Sequence, residues 1–111
     1  MPWPSEAIID FTATGDNAVV AGVVNQVVKV FQLFLIVSAD TTLTFKDGSG
    51  MDLTGPIAML ANGSIVLDFV RGSREADQPW FTTNVGNAVI INQTGSAQVS
   101  GRLYHVQGLL S

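Results

Sequence analysis

Apolar and polar residues alternate along this chain in short runs, and turn-forming residues interrupt nearly every run before it reaches helical length. Thr42-Leu43-Thr44-Phe45-Lys46 places Leu43 and Phe45 on one face and polar side chains on the other. Ile65, Leu67 and Phe69 form a second inward row, with Val66, Asp68 and Val70 opposite. Val99, Gly101, Leu103 and His105 form a third, backed by Ser100, Arg102, Tyr104 and Val106. A period of two marks a strand with one face in the core. Between the runs stand Gly15-Asp16-Asn17, Asp47-Gly48-Ser49-Gly50, Thr54-Gly55-Pro56, Asn62-Gly63 and Thr94-Gly95-Ser96. Gly and Asn tolerate positive φ, and Pro presets φ for a turn. Asn62-Gly63 predicts a type I′ hairpin joining 57–61 to 64–70. Many short strands with regular turns predict an all-β fold, an antiparallel β-sandwich of jelly-roll-like form. The expected division is an N-terminal arm and first strand over 1–14, the sandwich over 15–107 and a C-terminal tail over 108–111.

Two runs depart from one-sided alternation. Over 27–37, strict alternation puts Val28, Val30, Gln32, Phe34 and Ile36 on one face and Val27, Lys29, Phe31, Leu33, Leu35 and Val37 on the other. Both faces are largely apolar, as they are in Ala88-Val89-Ile90-Ile91. A strand apolar on both faces is normally covered on both, yet each strand of a two-sheet sandwich has one inner face. Either termini and loops cover the second face or another subunit does, since a permanent interface resembles a core cut in half. The candidate subunit face is therefore Phe31, Leu33 and Leu35 or the opposite row, Phe34 and Ile36; periodicity leaves that choice open.

Composition narrows the chemistry. Charged residues make up 13% of the 111 residues and the net charge is −4 with five Lys+Arg, against a usual charged share of about 25%. That excludes a polybasic nucleic-acid module. Cysteine is absent, which removes disulfide scaffolds, Cys-zinc sites and thiol catalysis. The start has neither the basic nor the apolar region of a signal peptide, and 27–37 is too short to span a bilayer as a helix, so the chain reads as soluble. His105 is the single histidine and falls on an inward face, where a packed structural role is expected. The nine carboxylates sit mostly in or beside turns, and no spacing singles out a glycosidase pair. Asp47 to Asp52 lacks the acidic third position and terminal Glu of a calcium loop and reads as a tight hairpin. No catalytic residue, cofactor or metal ligand is expected.

Four residues are candidates for contact with a neighbouring molecule. Trp3, set between Pro2 and Pro4, is an anchor on a stiffened arm. Arg71 and Arg74 belong to the concentrated charged stretch Arg71-Gly72-Ser73-Arg74-Glu75-Ala76-Asp77. Trp80, adjacent to Phe81 after Pro79, points opposite to it, so that one ring enters the core and the other covers the outer face.

Several blocks in order carry a resemblance. They are the apolar strand over 27–37, Thr42 to Gly48, Leu53-Thr54-Gly55-Pro56-Ile57, Ala61-Asn62-Gly63-Ser64-Ile65, Trp80-Phe81-Thr82-Thr83, Gly86-Asn87-Ala88 and Gln98 to Tyr104. Over residues 18–106 the chain resembles the small virion proteins encoded among the structural genes of tailed bacteriophages. The resemblance implies a non-enzymatic capsid cement or decoration protein, made in the host bacterial cytoplasm and located on the virion surface. Its implied partners are its own copies, as a homotrimer, and the major capsid protein, with no nucleic acid and no membrane. The alternative is a tail-fibre or baseplate module contacting host glycan through Trp80 and Tyr104; a small lyase or hydrolase on the same fold is a third reading.

Overall fold

The computed structural model describes residues 5–68 and 79–109, and within them the protein consists of nine strands and no helix. They are β1 (Ser5–Phe11), β2 (Gly15–Val20), β3 (Gln26–Val37), β4 (Thr41–Asp47), β5 (Ile57–Met59), β6 (Ser64–Leu67), β7 (Phe81–Thr82), β8 (Val89–Gln93) and β9 (Val99–Leu109). One sheet has the order β1-β9-β3-β6, with β7 also paired to β3, and the other β2-β8-β4-β5. Every pairing is antiparallel. Setting aside two-residue β7, the pairs β1·β9, β2·β8, β3·β6 and β4·β5 describe one long ribbon. The ribbon is rolled so that β9 also meets β3 and β8 also meets β4. This is the jelly-roll order, which packs a chain with short turns into two sheets around one core.

The core is the union of the inward rows. Ile9, Val28, Val30, Leu33, Leu35, Val37, Val99 and Leu103 from the first sheet meet Val20, Leu43, Phe45, Met59, Val89 and Ile91 from the second. Each such side chain contributes about 1.5–3 kcal/mol on burial. Phe81 reaches across from β7 and stacks on Phe45, with centroids 5.0 Å apart. Gly101 lies opposite both Ile9 and Leu35 in the register. A Cβ there would strike the Phe34 carbonyl oxygen and lie 2.7 Å from Leu35 Cα, so β9 needs glycine at this point.

One end of the sandwich is closed by a buried polar clamp. Gln93 accepts from Thr41 Oγ1 (3.0 Å) and the Ala97 N–H (3.1 Å), and donates to the Ala13 (3.1 Å) and Ala97 (3.0 Å) carbonyls. All its principal hydrogen-bonding capacity is used, which makes a buried amide tolerable.

The structure revises the sequence reading in three places. The register of β3 on β9 shifts between Val30 and Gln32, so Phe31 is an extra residue in a β-bulge. A one-residue insertion reverses the facing of everything after it. Val28 and Val30 face the core before the bulge, and Leu33, Leu35 and Val37 after it. Second, Asn62-Gly63 does not join a hairpin: β5 pairs with β4 and β6 with β3, in different sheets. Asn62 alone has positive φ (68°), and both residues hydrogen-bond to the Val37 backbone, so the turn caps β3 while the chain changes sheets. Third, the sandwich exceeds 15–107: β1 pairs with β9 along its whole length, and β9 continues through Gly108 and Leu109 opposite Val27 and Gln26.

Candidate docking face

The pairing registers lay out the outer face of the first sheet as rows running across four strands. One row reads Ile8, Arg102, Phe34, Val66 from β1 through β9 and β3 to β6. The row on one side reads Asp10, Ser100, Ile36, Ser64, and the row on the other begins Glu6, Tyr104, Gln32. In the middle row Ile8 is 67% exposed, Phe34 54% and Val66 70%, and Ile36 beside them is 47% exposed. Scattered exposed apolar residues are ordinary, but Phe34, Ile36 and Val66 adjoin one another on β3 and β6, with Ile8 on the far side of Arg102, and such a cluster is of the kind that marks a contact surface.

Polar groups on this face are held in position. Arg102 pairs with Glu6 at 3.0 Å. Gln32 Nε2 donates to Asp68 Oδ1 at 2.8 Å, and Gln98 Nε2 to Asp10 Oδ1 at 2.7 Å. Gln32, Phe34, Val66, Asp68, Arg102 and Tyr104 line a shallow groove of about 300 Å³.

The second sheet is different. Its outward rows carry Asp16, Asn92 and Thr44, then Ala18, Ile90 and Lys46. Lys46 Nζ lies 3.3 Å from Asp16, and Asn92 donates to the same carboxylate at 2.7 Å. Those contacts, the Asn92 hydrogen bond first, hold the Asp16 carboxyl below its ordinary value. Among the described residues, the outward rows of the first sheet expose adjoining apolar side chains, Phe34, Ile36 and Val66, which the second sheet's rows do not.

The candidate residues separate accordingly. Leu33 and Leu35 are in the core, each 1% exposed, and are spent on folding the monomer. Phe31 is buried at the bulge, outside the central cluster, and is also unavailable to a neighbour. Periodicity placed these three together; the structure removes them from the candidate face because their surface is already covered. Phe34 and Ile36 remain accessible, joined by Val66 from adjoining β6 and, across Arg102 of β9, by Ile8 from β1. Trp80 is partly exposed and its Nε1 donates to the Asp68 carbonyl at 2.7 Å. Trp3, Arg71 and Arg74 lie outside the described residues.

The titratable groups serve local structure. Asp47 is buried, and its carboxylate accepts from Ser49 N–H (2.9 Å), Ser49 Oγ (2.6 Å), Met51 N–H (3.3 Å) and Asn84 N–H (3.1 Å). Burial pushes its pKa up, but those hydrogen bonds outweigh burial and hold it below the ordinary value. His105 is buried on the inner face with Nδ1 unpartnered, and burial lowers its pKa. Among the described residues no three of the His, Asp and Glu side chains converge as a metal site would require.

Ile8 and Val66 acquire meaning only from the register, which brings Val66 beside Phe34 and Ile8 into the same row beyond Arg102. Val66 was legible as an outward residue; nothing in the sequence paired it with Ile8. Compared with known proteins, the chain matches no family model, no curated protein and no solved structure.

Proposed function

We propose that this chain is a non-enzymatic virion structural protein of the capsid cement or decoration type, assembling with its own copies as a trimer on the shell built by the major capsid protein. The observation that carries the reading is the exposed cluster Phe34, Ile36 and Val66, bordered by the Arg102–Glu6 pair, with Ile8 beyond it in the same row. An apolar centre with a polar rim is the anatomy of a protein–protein interface. The resemblance to small phage virion proteins supplies the class. Jelly rolls also occur among viral capsid proteins, a support by analogy of fold. Copies bound together on a shell attach through several contacts at once, so modest single contacts give tight retention. Light scattering of the purified protein, followed by sedimentation with shells lacking it, tests this: the reading predicts a three-chain mass and co-sedimentation. A folded monomer that ignores shells contradicts it.

A second reading, a tail-fibre or baseplate module for host glycan, is favoured by the groove alone, where Tyr104 adjoins Gln32, Asp68 and Arg102. Trp80→Ala and Tyr104→Ala separate the two: the glycan reading predicts lost glycan binding with assembly intact, and the decoration reading predicts no glycan binding by the unmodified protein.

A further inference from the structure

We propose that the loop end of the sandwich at which β2 and β4 finish is a second docking surface, and that its partner is an apolar, uncharged patch on another protein. The proposal rests on the decoration reading, in which that protein is the shell. Val20, Val89 and Asp47 lie in one row across β2, β8 and β4. Loops 21–25, 48–51 and 84–88 emerge at this row and are fastened together. Gly86 N–H donates to the Gln26 carbonyl (2.7 Å), Asn84 N–H reaches Asp47 Oδ2 (3.1 Å), and Asn84 Nδ2 lies 3.8 Å from Met51 Sδ. Gly22 backs directly onto the Gly86–Ala88 backbone: a Cβ there would lie 2.9 Å from the Asn87 carbonyl carbon. The loops are therefore preorganised and pay little ordering cost on binding.

At the tip Val24 is 80% exposed, and Val23, Met51 and Val85 are 43, 42 and 44% exposed. No charged residue falls within 21–25, 48–51 or 84–88; of the neighbouring carboxylates, Asp47 is buried with four donors on it, and exposed Asp52 follows Met51 and stands opposite Lys46. A strongly charged partner would lose hydration here without gaining a counter-charge. A lipid surface is disfavoured, because the tip offers valine and methionine where membrane-binding loops carry aromatic and basic anchors. The tip is also separate from the outer face: Phe34 is eight residues along β3 from Gln26, about 26 Å at strand rise. Copies covering Phe34 leave the tip open.

The test uses the double variant Val24→Asp/Val85→Asp of the full chain, with shells lacking the protein and phosphatidylcholine vesicles as probes. The expected result is an unchanged light-scattering mass and thermal melt, with shell binding weakened at least ~10-fold. Wild-type binding should change little between ~0.05 and ~0.5 M salt, because the apolar tip residues Val23, Val24, Met51 and Val85 carry the contact. A variant that binds shells like the wild type overturns the proposal alone. So does a variant that loses its oligomer, which would seat a second copy on the tip, or a wild type that floats with vesicles. A wild type that ignores shells removes the decoration reading and this partner together.

Discussion

Asp47 and His105 are buried for different purposes, and acid should reach them at different pH. Both have folded-state pKa values below their ordinary ones. For each, the unfolded chain takes up a proton more readily than the folded one, so stability falls as pH falls. His105 contributes its full share above the unfolded histidine value of ~6.5 and loses it as pH drops through the lower folded value. Asp47 contributes above ~4 and loses its share only below that. Urea midpoints measured from pH 8 to pH 3 should therefore decline in two stages. His105→Leu should abolish the first stage and, by removing an unpartnered buried nitrogen, leave neutral-pH stability equal or higher. Asp47→Asn should cost ~2 kcal/mol at neutral pH, since an amide N–H₂ opposes donors that a carboxylate accepts, and should shrink the second stage. Exposed Asp16 supplies a small remainder. A stage that begins at pH 6.5 and survives His105→Leu would contradict this assignment.

At the scale of elements, β3 decides what the sequence could and could not reveal. Alternation in Thr42 to Lys46 and in Val99 to Val106 reads directly onto the structure, because those strands have no bulge in their pairing with β8 or β1. Leu43 and Phe45 are buried, as are Val99, Leu103 and His105. In β3 the extra residue at Phe31 reverses the later half, and nothing in a one-dimensional pattern distinguishes a bulge from a two-sided strand. The Asn62-Gly63 turn misleads for a related reason: positive φ is needed wherever a chain reverses sharply, within a hairpin or between sheets. Two substitutions follow. Leu33→Asp puts a carboxylate in the core and should leave no cooperative unfolding transition, whereas Phe34→Asp, one residue away on the outer face, should fold with wild-type circular dichroism. Gly101→Ala should destabilise by about 1–3 kcal/mol in urea titration, because its Cβ meets the β3 backbone, which cannot turn aside as a side chain can.

The whole molecule has an asymmetry that its parts do not show. One sheet turns Asp16, Lys46, Asn92 and threonines outward, and the other turns Ile8, Phe34, Ile36 and Val66 outward. Low charge content and a core of ordinary composition make sense together if the molecule works inside an assembly, with its apolar outer face against copies and its uncharged loop end against a further surface. The most direct measurement is the solution mass of the wild type and of Phe34→Asp/Val66→Asp at micromolar concentration. The account predicts an oligomer for the wild type and a folded monomer for the double variant. A wild type that is monomeric, or a double variant that keeps the wild-type mass, would contradict it.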